Sequence, residues 1–295
     1  MPSPAATPAR GSRILNAMTV DVEDYFQVQA FAGVIPRADW DGIPRRVEAN
    51  TDHILQAFDR AGIRATFFTL GWVAERHGAL VRRIVAGGHE LASHGYDHVR
   101  VDQLCPATFR ADIIRTKAIL EDAGGVPVRG YRAPTFSIGT RNPWAFDELA
   151  AAGYEYSSSV YPIRHDLYGM PDAPRFPFRP GGGRLWEIPM TTLRVAARNL
   201  PCAGGGYFRL LPYGVYRSGL ARLNRREERP GVFYFHPWEV DPDQPRVTDA
   251  GRLARFRHYV GLRSMRARLE RLLRDFRWDS IDRVFADMLT PAAVR

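Results

Sequence analysis

Cysteine is nearly missing from this chain: of 295 residues only Cys105 and Cys202 are cysteines, far apart and outside any CxxC spacing. This argues against a disulfide framework, and a reducing compartment is acceptable. No apolar run approaches the roughly 20 residues that a membrane-spanning helix needs. The opening stretch, Met1 to Arg13, holds Pro, Ala, Ser and Arg where a secretory signal would place an apolar segment. It reads as a disordered tail over 1–13, with the protein expected in the cytoplasm or at the inner membrane face. No internal repeat and no nucleic-acid-binding module is visible either.

What is there is an ordinary globular composition, 45% hydrophobic and 25% charged, with a formal net charge of +9. A basic excess can serve an anionic partner such as nucleic acid, an acidic polysaccharide or a membrane surface. Much of it lies between Arg252 and Arg277, where Leu262, Met265, Leu269, Leu272 and Phe276 recur at helical intervals. The arginines there read as the solvated face of an amphipathic helix, so nucleic acid is not expected as a partner. Peripheral membrane association stays open.

Strand and helix signals alternate through the first half, which predicts an α/β architecture. Strands are expected at Ile14–Val20, Arg64–Leu70, His89–Ser93 and near Arg129–Pro134. Helices are expected at Val47–Arg60, stopped by Gly62, at Ala79–Ala86, from Pro106 to about Gly124, and at Pro143–Ala152. Beyond about residue 160 Pro and Gly become dense, and a late apolar strand, Gly231–His236, precedes the C-terminal helices. The spacing divides the chain into a tail (1–13), a core (14–160) and an extension (161–295) that also supplies the late strand.

Chemistry concentrates at predicted strand ends. In Met18-Thr19-Val20-Asp21-Val22-Glu23-Asp24, side-chain alternation sends Asp21 and Glu23 to one face. His94 and His98 follow another strand, four residues apart. Two His and one carboxylate, with other positions left to water, form the ligand set of a catalytic metal site, and the spare carboxylate is a candidate base.

With Arg132-Ala133-Pro134 and His236, this ordered set resembles the NodB-like polysaccharide deacetylases of carbohydrate esterase family 4. Within them it resembles the subgroup associated with exosortase and exopolysaccharide loci, which has its own C-terminal extension. The family's first motif is Thr-Phe-Asp-Asp-Gly, and here Val22 stands where its metal-binding Asp would be. Strand alternation favours Glu23 as the replacement ligand, with Asp24 as the alternative if the chain turns early.

The resemblance implies a distorted (β/α) barrel with added C-terminal loops and helices. It implies a divalent metal ion, zinc first and cobalt, nickel, manganese or iron as further candidates, held by Glu23, His94 and His98. It also implies Asp21 as base, Arg132 as its partner, the Thr135 N–H as oxyanion donor and His236 as acid. The implied reaction removes N-acetyl groups from an N-acetylhexosamine-containing polysaccharide and releases acetate. Rival readings are a hydrolase of small cyclic amides on the same barrel and a catalytically silent polysaccharide-binding module. His165 and Asp166, in the long loop, and Trp238 are candidate substrate contacts. The oligomeric state is not readable.

Overall fold

The computed structural model describes residues 14–289, so the expected tail over 1–13 lies outside the described residues. The first strand, β1 (Leu15–Val22), runs two residues past its expected end and is buried from Asn16 onward. Such uninterrupted burial is characteristic of a central parallel strand covered on both faces. Helix α1 (Val47–Ala61) buries Val47, Ile54 and Phe58 and ends where Gly62 takes a left-handed conformation at φ 64°. Next come β2 (Thr66–Thr69), α2 (Gly71–Arg76), α3 (Gly78–Ala86), β3 (Glu90–Ser93) and α4 (Pro106–Gly124). The first two-thirds closes with β4 (Gly130–Tyr131), α5 (Trp144–Ala151), β5 (Tyr156–Ser157) and β6 (Trp186–Glu187).

Helix α2 was not expected, since six residues are too few for a helical period to show. It is pinned at its start: the N–H groups of Gly71 and Trp72 donate to the carbonyls of Gly95 and Tyr96 at 3.0 and 2.9 Å. A Cβ at Gly71 would come within 2.7 Å of the Tyr96 ring, so glycine is what lets the histidine loop approach this closely.

The chain continues through an antiparallel hairpin, β7 (Thr192–Val195) and β8 (Arg198–Pro201), then α6 (Gly205–Leu210), α7 (Tyr213–Arg222) and β9 (Val232–Phe235). Helices α8 (Arg252–Tyr259) and α9 (Leu262–Asp275) follow, with β10 (Arg277–Asp279) and α10 (Ile281–Val284) after them. The basic stretch is thus two helices, parted at Gly261, whose φ of 69° no helix interior accepts. Leu262, Met265, Leu269, Leu272 and Phe276 are all buried as their periodicity requires. Not every arginine is merely solvated, since Arg268 donates to the carbonyls of Phe208, Arg209 and Leu211 and closes the end of α6.

All strands except the hairpin belong to one curled parallel sheet in the order β10-β1-β2-β3-β4-β5-β6, with β9 also on β1. Residues 161–289 therefore do more than decorate a core. They give β1 two of its three neighbours, β9 pairing Ala17–Val20 and β10 pairing Leu15–Ala17. Where β6 and β9 fail to pair, the Thr191 hydroxyl accepts from Val232 N at 2.6 Å and donates to Val232 O at 3.0 Å. One side chain spans the seam of a distorted barrel. Because the sheet is parallel, the ends of β1, β3, β4 and β9 share one rim, where such folds place their chemistry.

Candidate active site

Four strand ends bring Asp21, Glu23, His94, His98, Arg132 and His236 together. One oxygen of Glu23, one ring nitrogen of His94 and one of His98 all lie within 4.8 Å of one another. Glu23 Oε2 is 2.9 Å from His98 Nε2 but is buried without a hydrogen-bond partner. That alignment is wrong for an N–H donor and suits two lone pairs converging on one cation. His94 Nδ1 lies 2.9 Å from the Arg132 carbonyl, which can only accept, so the proton is on Nδ1 and Nε2 keeps its lone pair. Burial pushes the His94 pKa down to about 4, so the ring is neutral, as a metal ligand must be. Burial would raise the Glu23 pKa, but the imidazoles of His98, His236 and His94 bring it to about 2. The donor set fits a divalent cation.

Asp24, the alternative ligand, is committed elsewhere. Its carboxylate accepts from the backbone N–H of Tyr25, Arg46 and Val47 at 2.9, 2.7 and 2.9 Å, anchoring the start of α1.

Arg132 is completely buried. Its guanidinium donates to Asp21 Oδ1 and Thr19 Oγ1 at 2.7 Å each, and to Ser158 O and Oγ at 3.0 Å each. These bonds tie β1 to β4 and the segment after β5, and they compensate a charge that could not otherwise be buried. Of the five non-glycine residues with positive φ among the described residues, three lie here: His98, Thr135 and Phe136. Thr135, at φ 56° and ψ 26°, is β-branched and strained there. The turn is held by Phe136 N donating to Ala133 O and Ala133 N to Ser159 Oγ, at 3.0 and 2.9 Å.

His236 directs Nε2 at the carboxylates, 3.5 Å from Glu23 Oε1 and 3.9 Å from Asp21 Oδ2. Its Nδ1 lies 2.7 Å from Glu239 Oε1, and Glu239 Oε2 in turn accepts from Arg209 Nε at 2.6 Å. Burial opposes a charge on His236, but Glu23, Glu239 and Asp21 outweigh it and raise the pKa to about 9. Sequence reasoning missed Glu239 and Arg209. A signal was available, because His236-Pro237-Trp238-Glu239 places Pro at the first helical position and Glu at the third, and a capping box forms.

The proposed sugar contacts fare differently. Trp238 is not a sugar platform: it is 6% exposed, with the rings of His236 and His258 stacked on it at 5.1 and 4.1 Å. Its Nε1 instead donates to Glu23 Oε1 at 3.2 Å and helps aim that carboxylate. His165 stacks on Tyr168 at 4.0 Å, and Tyr168 meets Phe136 at 5.6 Å, so this loop reaches the Thr135 turn through aromatic rings. Asp166 is exposed and pairs with Arg257 at 2.9 Å.

Residues 39–157 match a family model described as polysaccharide deacetylase. Over that span, which takes in His94, His98 and Arg132, the chain is similar to the polysaccharide deacetylases. Residues 158–286 match a second model, a domain of unknown function (DUF3473), which takes in His236, Trp238, Glu239 and Arg209. The deacetylase match begins after Asp21 and Glu23, where the first motif departs from the usual pattern. The chain is 33% identical over 84 residues to a peptidoglycan-N-acetylglucosamine deacetylase of Bacillus cereus, covering 28% of this chain and 30% of that protein. A chitooligosaccharide deacetylase of Bradyrhizobium is 27% identical over 188 residues, 63% of this chain and 77% of that one. The chain thus spans under a third of the Bacillus cereus relative. In fold it is similar to a Mycobacterium smegmatis crystal structure classed with the polysaccharide deacetylases, with TM-score 0.58, 23% identity and coverage of 100% and 97%.

Proposed function

We propose that this protein is a metal-dependent deacetylase that hydrolyses N-acetyl groups of an N-acetylhexosamine-containing polysaccharide and releases acetate. The observation that carries the reading is the meeting, on one barrel rim, of the Glu23/His94/His98 donor set with a separate buried carboxylate, Asp21, and a histidine, His236. Relatives named deacetylases support it. We assign the chain to the exopolysaccharide-associated subgroup, supported by the shifted first motif and the extension from 158 onward.

Glu23, His94 and His98 would hold the ion, zinc first. When bound, such an ion polarises an amide carbonyl and lowers the pKa of water. Asp21, fixed by Arg132, takes the proton of the attacking water as its oxygen adds to the acetyl carbon. The Thr135 N–H donates to the oxyanion that develops on the carbonyl oxygen. His236, its Nδ1 held by Glu239, gives its Nε2 proton to the sugar nitrogen as the carbon–nitrogen bond breaks, because an unprotonated amine is a very poor leaving group. Acetate and the free amine result.

Acetate release from N-acetylhexosamine polymers, measured before and after thorough chelation, tests this. Release is expected, abolished by the chelator and restored by added zinc. Activity that survives complete metal removal overturns the metal role, and no release from any N-acetylated polymer overturns the reading.

A further inference from the structure

A groove of about 420 Å³ opens between residues 246–248 and α8, within the range of roughly 300–1,000 Å³ common for small-ligand sites. Arg246, Arg252 and Arg255 line it together with Phe256 and Tyr259. None of these three arginines makes an ion pair among the described residues, so all three charges are available to a ligand. Asp166, on the neighbouring loop, is taken by Arg257, and Asp249, next in sequence, accepts from the Thr248 hydroxyl and pairs with none of the three arginines. Three arginines lining one hollow outside any ion pair suit a ligand that brings carboxylates, which arginine grips through two parallel hydrogen bonds.

The same groove offers ring faces. Phe256 is 56% exposed, unusual for so large an apolar residue, and the Arg246 guanidinium lies 4.1 Å over the Tyr259 ring. Exposed aromatic faces pack against the apolar faces of sugars. From Tyr259 an unbroken series of rings leads inward: His258 at 4.7 Å, Trp238 at 4.1 Å, then His236 at 5.1 Å. The groove therefore lies just outside the wall that carries the proposed acid.

We propose that this groove binds the carboxylates of an anionic, uronate-containing polysaccharide, holding a chain whose N-acetylated residue enters the site at Asp21 and His236. The proposal deepens the deacetylase reading and rests on it. A lipid surface is the rival occupant, but arginines set beside the exposed Phe256 ring suit a uronate chain, which carries carboxylates next to apolar sugar faces, better than a layer of headgroups.

Calorimetric titration of the intact protein with hyaluronan fragments, oligoguluronates and neutral chitooligosaccharides tests it, using R252Q/R255Q and F256A variants. These side chains sit at the surface, and an unchanged thermal midpoint checks the fold. At low salt the uronate polymers should bind, and R252Q/R255Q should weaken them about tenfold or more, F256A less, while chitooligosaccharide binding stays unchanged. Equal weakening of neutral and anionic oligomers, or no binding of either uronate polymer, overturns the proposal. So does arginine-dependent binding to vesicles of phosphatidylglycerol and phosphatidylcholine without uronate binding. Because binding is read here and acetate release above, failure of the groove and failure of the deacetylase reading give different results.

Discussion

Glu23 and Glu90 are both carboxylates in the barrel, one at each end, and their environments drive them in opposite directions. At the rim, Glu23 is held at about 2 against its own burial by three imidazoles. At the opposite end burial dominates, with Asp282 adding to it, and Glu90 rises to about 7. Its neighbours there are hydroxyls: Thr66 Oγ1 and Tyr156 OH lie 2.6 and 2.9 Å away, and Asp282 N donates to it at 3.2 Å. The rim keeps Glu23 ionised with imidazoles, while the base fastens α10 to β2 and β3 through a carboxyl that burial holds partly protonated near pH 7. Of these two buried carboxylates, the one its partners keep ionised is the one placed to hold a cation.

The contrast can be broken from the rim first. Asp21→Asn should lower kcat by about 10²–10⁴-fold while the metal stays bound, whereas His94→Ala should empty the site; metal analysis beside acetate assays separates them. Equal metal loss in both would make Asp21 a ligand. Glu239→Gln should cost about 10–100-fold in kcat with little change in KM, because His236 loses its orienting anion while the ligands remain. Trp238→Phe keeps the stack but removes the bond to Glu23, so metal affinity should fall less than in His94→Ala and the thermal midpoint should hardly move.

Glu90→Gln should leave turnover intact and change only the pH dependence of stability. The Glu90 pKa is raised on folding, so its contribution is complete below about 4.5 and disappears as pH rises through about 7. Melting between pH 5 and 8 should therefore decline less steeply in the variant. A variant that melts with the unchanged slope would show that Glu90 is not the group responsible.

Much of this arrangement is legible in the chain because it follows periodicity. The stripe of α1, its stop at Gly62 and the end of α4 near Gly124 each obey a local rule, and the structure follows them; the alternation that puts Asp21 and Glu23 on one face is a rule of the same kind. What escaped depends on distant residues. Nothing near Trp238 announces that His258, twenty positions on, will cover one of its faces, or that Arg209 will neutralise Glu239. β10 was invisible because three residues carry no period, and the strand exists only through pairing with β1. The break at Gly261 was hidden because the apolar spacing continues beyond it.

The seating of β1 bears on how the chain is made. Its partners β9 and β10 are synthesised long after it, so until they emerge this apolar strand has β2 beside it and one unpaired edge. Contacts of such long sequence separation form slowly, and an open edge of this kind invites pairing with other chains. Chaperone supply and growth temperature should therefore govern the yield of soluble protein during expression, even where the finished barrel is stable.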